Sequence, residues 1–193
     1  HKISNWTIGA GMCAQAGVGV EYGRSSFLSR GDVGGKGYAT GAETGLENSS
    51  RLFILDVPFA VSFQVNDRLA VGGSLDAKWT GLNLDYLLGM NQLGSLAKNG
   101  RASGSLLGLI GTLPDPQGVH LSVSKNKAIA SGADGWGISG KLGLLYKVTP
   151  ITNFGASYMF KSHMNDLEGR GTVTAVDGII GNVPIEGDVR FLN

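Results

Sequence analysis

Hydrophobic and polar residues alternate with a period of two over long stretches of this chain. In residues 5–23 (NWTIGAGMCAQAGVGVEYG) the even positions Trp6, Ile8, Ala10, Met12, Ala14, Ala16, Val18, Val20 and Tyr22 form one apolar series, and glycine fills much of the odd series. Successive side chains of a strand point to opposite faces, so this pattern predicts a strand with one wholly apolar face. Four further segments repeat it: 52–65 and 69–79 with odd positions apolar, 136–148 and 154–164 with even positions apolar. A sixth strand is expected from Pro184 onward.

Two connections between these segments are short and carry turn residues: 66–68 and 149–153. The stretches 24–50, 80–134 and 166–183 are long. Tracing the strands up and down puts both short turns on one side and every long connection on the other. That asymmetry is the pattern of an outer-membrane barrel. Across the five complete segments the apolar face carries no charged residue or histidine. The opposite face carries Glu21, Asp56, Asp76, Lys78, Lys141, Lys147, Lys161 and His163.

The aromatics sharpen the choice. Tyr22, Phe53, Trp79 and Trp136 fall at the long-loop ends of their strands, and Trp6, Phe63, Tyr146 and Phe154 at the turn ends. Two such girdles are what a bilayer imposes, because amphipathic rings settle at headgroup level. The predicted fold is all-β: an antiparallel up-and-down transmembrane β-barrel, in part, with short helices in an extracellular loop. A soluble β-sandwich binding module is the competing fold.

Composition narrows the function classes. Gly is 32 of 193 residues, charged residues are 16% and hydrophobic residues 42%, which excludes a disordered chain. A net charge of +1 gives no electrostatic reason for nucleic-acid binding. The single cysteine, Cys13, forbids an intrachain disulfide, and no apolar run is long enough for a membrane helix.

The stretches GWGISGKLGLLYKVTPITNFGASY and MNDLEGRG, with PFAVSFQVNDRLAVGGSLDAKW and GVGVEYGRSSFLSR, resemble the FadL-type family of outer-membrane channels for long-chain fatty acids and aromatic hydrocarbons. The resemblance covers most of residues 10–193. It implies a fourteen-stranded barrel plugged by an N-terminal hatch, in the bacterial outer membrane and monomeric when whole. Residues 1–193 would be an internal part of that one domain, without the hatch or the C-terminal strands. It also implies passive uptake of small hydrophobic molecules, caught in an apolar loop groove and released through a gap at a kinked strand. A barrel without a specific ligand is the plainer alternative.

The most informative loop is 80–134. Its stretch LNLDYLLGMNQLGSLAKNG spaces Tyr86, Met90, Leu93 and Ala97 as on a helix, with Asp85 as an N-cap and Gly100 just past the end. A second greasy stretch follows at Leu106, Leu107, Leu109 and Ile110. Helices this apolar either pack on each other and the rim, or form a groove for a hydrophobic ligand. The candidate groove residues are Leu82, Leu84, Tyr86, Leu87, Met90, Leu93, Leu96, Leu106, Leu107, Leu109 and Ile110.

Gly9, Gly11, Gly17, Gly19, Lys141 and Lys161 are expected to face the lumen. The glycine run is a candidate for the kinked exit strand, and Lys141, Lys147 and Lys161 for attracting a fatty-acid carboxylate. His120 and His163 lack metal-ligand spacing, and no nucleophile motif is present, so neither metal, cofactor nor enzyme activity is expected.

Overall fold

The computed structural model describes residues 1–32, 41–124 and 129–192. Its strands are β1 (Lys2–Ile3), β2 (Trp6–Ala10), β3 (Cys13–Gly23), β4 (Asn48–Gln64), β5 (Leu69–Leu88), β6 (Pro116–Ser122), β7 (Ala133–Thr149), β8 (Thr152–Met159), β9 (His163–Met164), β10 (Leu167–Asp177) and β11 (Gly181–Phe191). Two helices, α1 (Met90–Lys98) and α2 (Leu106–Ile110), lie between β5 and β6. Every pairing is antiparallel. The membrane wall runs β2/β3, β4, β5, β7, β8/β9, the up-and-down order expected from the sequence.

The apolar alternation places its residues on the outer face. Phe59, Leu75, Ile138, Leu142, Phe154 and Tyr158 are all more than half exposed. At the lower edge Trp6 packs against Phe63 with ring centroids 4.7 Å apart, and Tyr146 pairs with Phe154. At the upper edge Trp79 pairs with Trp136 and lies 6.3 Å from Phe53. Ten residue steps along β5 separate Leu69, opposite Tyr146, from Trp79. At about 3.4 Å per step and a tilt of about 40°, the band is roughly 26 Å tall, close to the apolar height of an outer-membrane barrel. Charges return on the outer face directly above it: Arg51 bonds Glu21, Trp79 donates to Asp134, and Arg190 bridges Asp166 and Glu168.

Among the described residues, the connections 80–134 and 166–183 carry further strands. β4 and β5 run on beyond the upper belt, and there β6 replaces β7 as the neighbour of β5. β10 and β11 continue this upper sheet. The sequence concealed β6 and β10 because PQGVHLS and LEGRGTVTAVD hold only short, glycine-broken alternation. Their inner apolar residues pair across the sheet as Leu88–Val119–Ala175–Val183 and Tyr86–Leu121–Val173–Ile185. Leu93, Ile110, Val119 and Ala175 form the core of this upper storey, packed by Leu88, Met90, Leu107 and Val173.

Parity expectations fail beyond two register shifts. Ala14 pairs with Leu55 but Ala16 pairs with Ile54, so Gln15 is squeezed out of the ladder. One extra residue turns every later side chain to the other face. Gly17 and Gly19 therefore sit on the outer face, where a Cβ would meet Phe53 and Arg51, and not in the lumen. Val18 and Val20 turn inward, and Glu21 turns outward to Arg51. A second shift follows Met159: His163 pairs with outward Ile138, and Met164 turns inward behind Gly137. Lys161 falls in this interruption, exposed, rather than on a regular lumen-facing position.

Candidate functional site

Three features line the inner face from top to bottom. Uppermost is the greasy sheet beneath the helices. α1 begins later than its spacing suggested: Gly89 caps it, and Tyr86 and Asp85 belong to β5. Asp85 is instead buried, accepting hydrogen bonds from Ser49, Ser122 and Ser124. A buried carboxylate with three hydroxyl donors is well satisfied, and it ties β4, β5 and β6 together. Gly100 closes α1 at φ +66°, a left-handed conformation that favours glycine.

The structure divides the candidate groove residues. Leu93 and Ile110 are buried, and Met90 and Leu107 pack against them, so these four hold the helices to the sheet. Leu87 is 2% exposed and points away from the inner face, which removes it from any groove. Leu82, Leu84 and Tyr86 alternate down the inner face of β5, each partly exposed. Leu96 and Leu106 are half-buried on the helices, and Leu109 is 51% exposed. A groove formed by this loop is therefore open to Tyr86, Leu84 and Leu82 on its floor and to Leu96, Leu106 and Leu109 above.

Below the helices the apolar surface continues. Leu82 pairs with Leu52, and Leu52 with Val18. Val18 and Val20 reach this strip only because of the Gln15 bulge, and strict alternation in the sequence pointed the other way. Beneath the strip lies a charge cluster at the level of the outer band. Lys78 Nζ is 3.2 Å from Asp56, Lys141 Nζ is 3.4 Å from Asp56 and 3.0 Å from Asp76, and Ser74 donates to Asp76 at 2.6 Å. Asp56, Asp76 and Lys78 are almost wholly buried. Two carboxylates meet two ammonium groups, so the cluster is neutral, and neither lysine is left over for an incoming anion. Lower still, an inner concavity of about 700 Å³ is lined by small residues, among them Gly9, Ala60, Gly72, Ser74 and Gly143, with Lys141 at its side.

One rung of the wall's hydrogen-bond ladder is missing beside this concavity. β2 ends at Ala10 and β3 resumes at Cys13 in the same register on β4, with Gly11 opposite Pro58. Gly11 donates to the Pro58 carbonyl at 3.1 Å, but proline has no N–H to return the bond. The missing bond is therefore written into Pro58, and Gly11 opposite it belongs to the glycine run that the sequence offers as the kinked exit strand.

An antiparallel wall with an apolar outer band between two aromatic belts, and a polar inner face, defines an outer-membrane β-barrel protein. No protein-family model matches the chain, and no curated protein does. Solved structures do. Over 100% of this chain and 45% of its own length, the Pseudomonas putida toluene transporter TodX superposes with a TM-score of 0.84 at 37% identity. The Ralstonia pickettii toluene transporter TbuX matches 98% of this chain and 44% of its own, at 0.81 and 43% identity. The monoaromatic hydrocarbon channel CymD matches 100% and 44%, at 0.76 and 36% identity. The chain resembles these FadL-type channels of the outer membrane along its whole length, as its motifs suggested, and spans about 45% of the length of TodX.

Proposed function

We propose that the protein admits small hydrophobic molecules, monoaromatic hydrocarbons before fatty acids, through the bacterial outer membrane by diffusion. In this reading the chain is part of a single larger, monomeric barrel set in outer-membrane lipid. The observation that supports it most is the likeness of the whole chain to two toluene transporters and a monoaromatic hydrocarbon channel. The continuous apolar strip of Tyr86, Leu84, Leu82, Leu52 and Val18 offers an uncharged solute a descending path. The neutral cluster of Asp56, Asp76, Lys78 and Lys141 favours uncharged solutes over fatty-acid carboxylates. The solute leaves sideways at the interruption of residues 11–12.

The test is uptake of radiolabelled toluene and oleate by cells lacking their own hydrophobic channels and expressing the intact protein. Toluene entry well above the empty strain supports the reading. Entry of oleate alone moves the ligand to fatty acids, and entry of neither leaves a barrel without a specific ligand.

A further inference from the structure

The lipid-facing band is not level. In its lower half the outer wall is dished into a hollow of about 750 Å³. Gly73 of β5 and Ala156 of β8 present no more there than a backbone and a methyl group, and Trp6, Val61, Phe63, Leu144 and Tyr158 stand around them. The backbone holds glycine in place: a Cβ on Gly73 would come 2.9 Å from the Lys141 carbonyl oxygen. Leu142 leans over Gly73 without closing the hollow, and remains 55% exposed.

Each strand places the hollow near the short turns. Gly73 is four residues from Leu69, Leu142 four from Tyr146, and Tyr158 four from Phe154, the last two partners being rings of the lower belt. At about 3.4 Å per residue and a tilt of about 40°, the hollow occupies roughly the first 10 Å above that belt. It opens into the leaflet on the side of the short turns, the phospholipid leaflet of an outer membrane. Trp6, about half exposed and packed on Phe63, closes its lower end at headgroup level, where an indole offers its N–H to polar lipid groups. The hollow thus leads from a donor at the interface into hydrocarbon, the course of one acyl chain hanging from its ester. Within a bilayer, packing decides occupancy. An unfilled hollow forfeits the dispersion contacts of its lining, and a chain seated among several strands gains more of them than one on a level wall.

We propose that this hollow is a seat for one phospholipid: an acyl chain from the turn-side leaflet lies over Gly73 and Ala156, with its ester group at the Trp6 indole. At this level β4, β5, β7 and β8 are joined by a continuous ladder, so the seat is separated from the inner face. It stands independently of the transport reading.

The test is photocrosslinking of the intact protein in phosphatidylethanolamine–phosphatidylglycerol vesicles, with a diazirine on the acyl chain of the phosphatidylethanolamine and the adducts mapped by mass spectrometry. The expected adducts concentrate on residues 71–73, 142–144 and 156–158, above the level at Phe59, Leu75 and Ile138, which are more than half exposed on the same band. Ala156→Phe fills the hollow with an apolar ring, and the lipid face penalises charge rather than apolar bulk. It is expected to abolish the concentration, whereas Ala10→Phe, the same change elsewhere on the outer face, is expected to keep it. Gel mobility checks that each variant is folded, and Ala156→Leu replaces Ala156→Phe if that variant is not. Trp6→Phe keeps the ring but not the donor, and is expected to lower the adduct yield in the hollow. Adducts spread evenly over the outer face overturn the seat, as does a concentration indifferent to the residue at 156. An unchanged yield in Trp6→Phe overturns the ester contact. Lipid adducts missing from the hollow, with a dimer that Ala156→Phe breaks apart, overturn the lipid occupant in favour of a second copy of the protein.

Discussion

Leu75 lies four residues below Trp79 on β5, 63% exposed on the outer face. At about 3.4 Å per residue and a 40° tilt, it sits roughly 10 Å beneath the upper belt, deep in the hydrocarbon. On a solvated sheet Leu75→Arg would change stability by about 0.5 kcal/mol or less, as exposed substitutions do. In a bilayer the same change costs about 2–4 kcal/mol, roughly 30- to 700-fold in the folding equilibrium. The comparison needs two more positions of similar exposure. Trp136, 57% exposed at the upper belt, is expected to cost about 0–1 kcal/mol for the charge itself when changed to Arg. Ile151, 94% exposed at the lower turn, is expected to be neutral. The assay is denaturant unfolding of the intact protein in phospholipid vesicles, followed by tryptophan fluorescence for Leu75→Arg and Ile151→Arg and by gel mobility for all three. Equal stability at the three depths would refute the lipid-facing assignment and return the apolar face to water or to a partner.

Other expectations follow from particular contacts. Ile110→Ala removes a buried side chain that pins α2 and should cost about 2–4 kcal/mol, read as faster amide exchange in residues 106–113. Tyr86→Ser should leave stability within about 1 kcal/mol but lower toluene uptake several-fold, since the proposed path runs over its partly exposed ring. Pro58→Ala restores an N–H facing Gly11 and should add about 1 kcal/mol of pairing, with slower exchange at residues 57–59 and reduced uptake. Asp177 closes the β10–β11 turn: burial pushes its pKa up, but bonds from the backbone N–H groups of Ile180, Asp115 and Ile179 outweigh that and hold it below 3.8. A lowered folded pKa gives stability that is complete above pH 3.8 and lost as pH falls through the folded value. Amide exchange at Ile179 and Ile180 should therefore be flat above pH 4 after correction for intrinsic rates, and should rise below it; Asp177→Asn should abolish that step.

The parts of this fold that lipid dictates are legible in the sequence. Period-two alternation, charge segregation and two aromatic belts follow from local side-chain direction and from the cost of charge in hydrocarbon, so Leu75, Trp79, Trp136 and Phe154 could be placed without coordinates. Helix content was legible from spacing, although α1 starts at Met90 because Tyr86 and Asp85 are claimed by strand pairing with β6. Only the tertiary structure decided where alternation is interrupted. The bulges at Gln15 and after Met159 arise in pairing with β4 and β7, remote in sequence, and one extra residue inverts everything beyond it. That is why strict alternation places Gly17 and Gly19 in the lumen and Val18 and Val20 outside, the reverse of what pairing with β4 gives. The upper sheet was hidden for a related reason: β6 and β10 bury their apolar faces against helices, not lipid, and bear none of the regular marks a bilayer leaves.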